Sequence, residues 1–320
     1  MEVSDKEYQL SSQYQINSDK IIAIGDIHGN LPNLKKLLTK LKEFDEDYKI
    51  VFLGDYIDRG IYVKETIQFL IDFKNQRPKD STYFLLGNHE YALGLFLGLW
   101  KTEPGFNLSD TWKNHSNFYE LWNGTEEEER NMHLEGRRYG SCSTYSSATT
   151  FKSYGCNKGD RKSLLEKMPK EHINFILEMP WILESEKYFF VHAGLDENEL
   201  SNQLRDLESK NISKGRLESL CGRRFNKIPN KTVVSGHTYV EEVEITKNRI
   251  LCDTSGGKFD KPISAIVLDS KKVVQSFEKV KNISKQQKSI STERFSTYSY
   301  VISTAILFYG FFKMYGETFV

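Results

Sequence analysis

Apolar and polar positions in the first ninety residues fall into two alternating patterns. Ile21–Ile24 (IIAI), Ile50–Leu53 (IVFL) and Tyr83–Leu86 (YFLL) are short unbroken apolar runs, as expected of strands buried on both faces. After the first run, Leu34, Leu37, Leu38, Leu41 and Phe44 recur at helical spacing, which puts one apolar stripe on a helix. Asn30-Leu31-Pro32 opens that helix, with proline in the first turn where its missing N–H costs nothing. Ile61–Phe73 predicts the next helix. A β-α-β-α-β order of this kind specifies a layered α/β sheet covered by helices.

The pattern loosens from about Tyr91 to Trp181, an insert of Trp- and Asn-rich, acidic (Glu126–Glu129) and Ser/Thr-rich stretches. Strands return at Tyr188–Val191 (YFFV), Thr232–Val234, Val243–Thr246, Arg249–Cys252 and Ala265–Leu268. The short turns between the last of these predict an antiparallel meander. We therefore expect a polar lead-in over 1–19, one domain over 20–280 with the insert at about 91–180, a basic polar linker over 281–294, and an apolar segment over 295–320.

Composition narrows the classes. The 44 Lys+Arg balance 44 Asp+Glu, which argues against a nucleic-acid partner held by bulk charge. With 38% hydrophobic and 28% charged residues, the chain reads as globular and soluble. Cys142, Cys156, Cys221 and Cys252 form no CxxC pair and no disulfide framework, consistent with a reducing cytosol. One segment departs from this picture: Phe295 to Phe312 runs 18 residues without a charge, five of them Ser or Thr, behind Lys281, Lys285, Lys288 and Arg294. It reads as a tail anchor, the basic cluster on the cytoplasmic side, or as a helix docked on the domain. The expected location is cytoplasmic, with membrane association through this segment in the first case.

Five apolar runs end in the same way: a small residue opens the backbone and a metal-ligating side chain follows. Gly25-Asp26-Ile27-His28-Gly29 follows IIAI, and Gly54-Asp55-Tyr56-Ile57-Asp58-Arg59-Gly60 follows IVFL. Gly87-Asn88-His89-Glu90 follows YFLL, His192-Ala193-Gly194 follows YFFV, and Gly236-His237-Thr238 follows TVVS. Ligands of open α/β sheets gather outside the carboxyl ends of the strands, so these loops should converge on one site. Carboxylate, amide oxygen and imidazole together suit Mn²⁺, Fe²⁺ or Zn²⁺ better than Mg²⁺. The six residues Asp26, His28, Asp55, Asn88, His192 and His237 suffice for two ions sharing a bridging carboxylate, an arrangement that clamps attacking and leaving oxygens in phosphoryl displacement. His115, His133 and His172 lie outside these motifs and read as packed or surface residues.

In their order, GDIHG, GDYIDRG, GNHE, HAG and GHT resemble the phosphoprotein phosphatase branch of the calcineurin-like metallophosphoesterases, over about Lys20 to Ser270. HAG, the stretch SSATTFKSYG and the segment MPKEHINFILEMPWILESEKYFFVHAGL resemble the bacterial and bacteriophage lambda type of serine/threonine phosphatase. The resemblance implies a β-sandwich flanked by helices, with a dimetal site at the carboxyl ends of the strands. Asp26 and His28 would bind one ion, most readily Mn²⁺; Asp55 would bridge, and Asn88, His192 and His237 would complete the second. His89 would be the general acid, oriented by Asp58, and Arg59 would grip phosphate oxygens. A second phosphate-binding arginine would be Arg223, or Arg224 beside it, in an LCGRRF run that departs from the family's LWIR-like pattern; Asp253-Thr254-Ser255-Gly256-Gly257 is likewise an altered DTG element. The implied reaction is in-line attack on a phosphomonoester of a protein by a hydroxide shared between the ions, without a phosphoenzyme. The competing readings are a symmetrical dinucleoside tetraphosphatase, whose second loop usually lacks the aspartate found here as Asp58, and an inactive binding scaffold on the same fold.

Overall fold

The computed structural model describes residues 10–44, 47–99, 139, 145–195, 200–210, 218–223, 225 and 227–278. By its contacts the chain divides into Met1–Glu278 and Lys279–Val320, and every described residue lies in the first unit. The apolar C-terminal run, the acidic patch, His115, His133, Cys142 and Arg224 lie outside the described residues. Among the described residues no helix is long and apolar enough to cross a membrane.

Two five-stranded mixed sheets carry the fold, flanked by helices. In the first, β1 (Ile21–Ile24), β2 (Lys49–Phe52) and β3 (Thr82–Phe84) run parallel, as the β-α-β-α-β pattern requires. Helices α1 (Leu31–Leu41) and α2 (Val63–Gln76) make the crossovers, and Asn30 caps α1 by accepting from the Asn33 N–H at 3.4 Å. The stripe read from sequence is the one α1 buries: Leu34, Leu37, Leu38 and Leu41. Helix α2 starts two residues later than expected, because Gly60 N–H and Tyr62 N–H are tied to His28 O and Gly29 O at 3.0 and 3.2 Å. Helix α3 (Asn88–Leu97) follows β3.

The insert is more regular than its sequence pattern suggested. It contains α4 (Ala148–Ser153), α5 (Arg161–Lys167) and α6 (Lys170–Glu178). Phe175 of α6 meets Phe84 edge-on at 5.0 Å, and Phe84 in turn stacks on Phe52 at 4.7 Å.

The second sheet joins β4 (Ile182–Glu184), β5 (Tyr188–Val191), β6 (Thr232–Ser235), β8 (Arg249–Leu251) and β7 (Glu244–Ile245) in that order. Helices α7 (Leu200–Glu208) and α8 (Glu218–Cys221) lie between β5 and β6 in sequence. The expected meander does not form. Strands β7 and β8 pair as an antiparallel hairpin, but β8 lies parallel to β6, with Val233 opposite Arg249. Strand β9 (Ser264–Val267) leaves for the first sheet, where it pairs antiparallel with β1 and with β10 (Lys272–Gln275). The parallel pairing has a consequence for the site: β5, β6 and β8 all present their carboxyl ends on one side, so the residues after β8 join those after β5 and β6. One buried apolar cluster runs through both sheets.

Candidate functional site

The five motif loops do converge. Asp55 is the centre: its Oδ2 lies 3.5 Å from His28 Nε2 and 3.8 Å from His89 Nε2, and its Oδ1 lies 3.3 Å from His192 Nε2. Two donor groups able to hold a metal ion share this carboxylate, His28–Asp55–His89 and Asp55–His192–His237. Asn88 Oδ1 adds an oxygen 3.0 Å from His192 Nε2 and 2.9 Å from His237 Nδ1. Asp26 sits at the edge, 4.0 Å from His28 Nε2, its Oδ1 accepting the His237 N–H at 3.0 Å. Burial, with the charges of Asp253 and Asp55, raises the Asp26 pKa well above the usual carboxylate range.

The donor chemistry fits divalent ions. His192 Nδ1–H donates to Leu53 O at 2.6 Å, and His28 Nδ1–H donates to Ile57 O at 2.8 Å. His192 thereby turns Nε2 toward the Asp55 and Asn88 oxygens, so acceptor faces acceptor unless positive charge stands between them, while His28 Nε2 faces the Asp55 carboxylate and the Arg59 guanidinium. A backbone carbonyl that fixes the tautomer of a ligating imidazole is the usual outer partner at metal sites. The same demand shows in the protonation of His192: burial opposes a charge there, but Asp55 and Asp26 lift its pKa to about 10. His237, half-buried and facing His192, is pulled down to about 3, mainly by desolvation and then by the His192 charge.

Close packing explains the small residues of the motifs. A side chain at Gly54 (φ +108°) would meet His192 Nδ1 at 2.5 Å, and one at Gly236 would strike the Asp26 carboxylate. The backbone is also held in an unusual state: His28, Asp55, Asp58, Arg59 and His237 all have left-handed φ, between 49° and 67°. Such conformations cost about 1–3 kcal/mol each and persist only where the surroundings enforce them.

Glu90 supplies much of that enforcement, and the sequence reading gave it no role. Fully buried, its Oε1 accepts the N–H groups of Tyr56 and Ile57 at 2.8 and 3.1 Å, and its Oε2 accepts those of Asp55 and Gly87 at 3.0 and 3.1 Å. Burial and the Asp55 charge push its pKa up, while the N–H bonds pull it back. A carboxyl proton would have to displace one of these four donors, so the geometry is that of a carboxylate. Asp253, delivered by β8, plays a similar part: its Oδ1 accepts Gly256 N–H at 2.8 Å, shaping the turn whose Gly256 O receives Arg59 Nη1 at 3.0 Å.

His89 Nδ1–H donates to Asp58 Oδ2 at 2.7 Å. Its Nε2 faces Arg59 Nη2 at 3.3 Å, and Arg59 Nη1 lies 2.9 Å from His28 Nε2. The guanidinium therefore stands against both imidazoles. Burial is the main cause that lowers the His89 pKa to about 3, with Arg59 adding to it against Asp55. Arg223 is exposed, two residues beyond α8, whose Ser219 O accepts the Ala193 N–H next to His192.

Residues set aside in the sequence have ordinary surroundings. His172 is buried, accepting from Tyr154 O–H at 2.8 Å and donating to Gln68 Oε1 at 2.9 Å. Cys252 is buried below Asp26 and Asp253, and burial pushes its thiol pKa far up.

The calcineurin-like phosphoesterase family model matches residues 19–241. The serine/threonine-protein phosphatase PP1-1 of Saccharomyces cerevisiae is 40% identical over 70 residues, 22% of this chain and 22% of that protein. PP1-delta of Caenorhabditis elegans is 43% identical over 70 residues, again 22% of each. The matched stretch thus spans 22% of the length of these curated relatives. Among solved structures, a candidate diadenosine tetraphosphatase aligns with a TM-score of 0.46 at 15% identity, covering 82% of this chain and 95% of that one.

Proposed function

This chain belongs to the calcineurin-like phosphoesterase family, and on that premise we propose that it is a metal-dependent phosphatase acting on phosphoserine or phosphothreonine of proteins. The observation that carries the reading is the Asp58–His89 pair, 2.7 Å apart, standing beside the Asp55 donor groups and against Arg59. The matches to PP1-type phosphatases support the protein substrate.

Asp26, His28, Asp55, Asn88, His192 and His237 would hold two divalent ions, with Mn²⁺ the first choice and Fe²⁺ or Zn²⁺ next. Bound there, such ions polarise phosphoryl oxygens and make hydroxide available near neutral pH. The chain's own groups do the rest. Arg59 donates charge-assisted bonds to phosphate oxygens, which strengthen as charge shifts onto them in the transition state. A phosphate dianion engaging Arg59 also relieves His89 of the guanidinium and sets negative charge before Nε2, so the proton affinity of His89 rises. Protonated His89 then gives its Nε2 proton to the departing serine alkoxide, while Asp58 holds the ring through Nδ1. Arg223, from its exposed position after α8, is the candidate second phosphate contact, with Arg224 beside it.

Turnover of a phosphoserine peptide, diadenosine tetraphosphate and p-nitrophenyl phosphate by the purified chain with Mn²⁺ tests the reading. We expect the peptide to be preferred over the nucleotide, and His89→Asn to remove most of the rate on the peptide. Preference for the nucleotide would sink the protein-phosphatase reading, and a metal-loaded chain without turnover would favour a scaffold.

A further inference from the structure

Asp58 uses only one oxygen on His89. Its other oxygen, Oδ1, accepts the phenolic O–H of Tyr139 at 2.6 Å and the hydroxyl of Thr150, both from the insert between GNHE and HAG. The Thr150 hydroxyl also accepts the Asp58 backbone N–H at 3.2 Å, so one side chain grips both ends of the same residue. Asp58, Tyr139 and Thr150 are all at most 1% exposed. Tyr139 is wedged among Phe96, Tyr145 and Phe151, with ring centroids 5.5 to 6.0 Å away. The Tyr145 ring meets His89 edge-on at 4.9 Å, and Ser146 O receives the Arg59 N–H at 3.2 Å.

We propose that Tyr139 and Thr150 are positioning residues: their hydroxyls fix the Asp58 carboxylate so that Oδ2 aims His89 Nε2 at the leaving oxygen. An ionised carboxylate with a single partner can rotate about its Cβ–Cγ bond and carry the imidazole with it. Two O–H donors on Oδ1 remove that freedom. Burial pushes the Asp58 pKa up to about 7, and the two hydroxyls oppose it by favouring the charged form, because a hydroxyl donated to an anion is stronger than one donated to a neutral acid. Burial next to Asp58 keeps the Tyr139 phenol protonated well above its ordinary range, so it remains a donor. The SSATTF stretch, singled out in sequence without a physical role, acquires one through Thr150.

The consequence for catalysis rests on the phosphatase reading, whereas the hydrogen-bond geometry can be tested without it. Tyr139→Phe and Thr150→Val delete a hydroxyl each and keep the packing; Thr150→Ser keeps the hydroxyl. In the full chain, the downfield imidazole N–H proton resonance of the Asp58–His89 bond should vanish in His89→Asn. It should move upfield and broaden in Tyr139→Phe and Thr150→Val, and stay in Thr150→Ser. With Mn²⁺, kcat on a phosphoserine peptide should fall about tenfold in each hydroxyl deletion, a fraction of what a general acid supplies. KM and bound Mn²⁺ should hold, and p-nitrophenyl phosphate, whose phenolate departs without a proton, should be slowed far less. An unchanged resonance in Tyr139→Phe and Thr150→Val, or equal slowing of both substrates, overturns the inference. A wild type with the responsive resonance and no turnover on either substrate overturns the phosphatase reading and leaves the positioning role standing.

Discussion

Glu90→Gln changes one oxygen for an NH₂ and almost nothing in volume, yet the structure makes it costly. Glu90 Oε1 and Oε2 each accept two backbone N–H groups, from Tyr56 and Ile57 on one side and Asp55 and Gly87 on the other. Whichever way the amide flips, its NH₂ faces two N–H donors that have no other acceptor in that pocket. A buried donor left unsatisfied costs about 1–3 kcal/mol, so the variant should lose about 2–6 kcal/mol. The remaining two bonds also weaken, because their acceptor is no longer charged. Urea unfolding with an unchanged m-value measures the loss as a lower midpoint. Glu178→Gln is the matched control: Glu178 pairs with Lys74 at 3.7 Å on the surface, and such exposed pairs contribute about 0–1 kcal/mol. If Glu90→Gln falls within about 0.5 kcal/mol of wild type, the four N–H bonds do not hold the Asp55 loop and the account of its strained backbone is wrong.

Three further outcomes follow from the same geometry. Chelation should lower the thermal midpoint, and Mn²⁺ restored at about a thousand times its dissociation constant should stabilise by about 4 kcal/mol; no shift would count against the dimetal centre. Gly54→Ala puts a Cβ 2.5 Å from His192 Nδ1 and 2.8 Å from Gly87 Cα, so Mn²⁺ titration should report affinity down about 10–100-fold, whereas unchanged affinity would show that the loops can spread at no cost. Burial and Lys64 hold the His172 pKa down at about 4, so the folded chain binds fewer protons there than the unfolded chain. Its contribution to stability is therefore complete above the unfolded pKa near 6.5 and is lost as pH falls through the folded pKa near 4, at most about 3 kcal/mol in all. His172→Gln should flatten that part of the pH–stability curve, and curves that stay parallel from pH 7 to pH 4 would refute it.

The three parallel strands of the first sheet and the convergence of the five loops were legible because each rests on local signals. Apolar runs mark the strands, and a carboxylate or imidazole directly after such a run lands at its carboxyl end. Pairing partners were not legible. Arg249–Leu251 and Ser264–Val267 have similar strand patterns, but one lies parallel to β6 and the other crosses to β1. The difference lies in long-range pairing, which no short window of sequence contains. Tyr139 and Thr150 were missed for the same reason: a hydroxyl among many in a Ser/Thr-rich stretch gains meaning only 81 or 92 residues away, at Asp58.

Glu90 was missed differently, since it stood in plain view inside GNHE. Read as chemistry, GNHE offers an amide and an imidazole to the site and a spare carboxylate. The structure shows the spare carboxylate holding the loop that carries Asp55. Asp55 turns its side chain toward three imidazoles from a left-handed backbone (φ 56°), which is unfavourable for a residue with a Cβ. That turn leaves the N–H groups of Asp55, Tyr56 and Ile57 pointing inward with no strand to receive them. An anion is the economical answer, because one carboxylate can accept all three and Gly87 besides. The motif thus encodes the ligands together with the support for the strained loop that presents them, and a search confined to metal-ligating residue types recovers only the first.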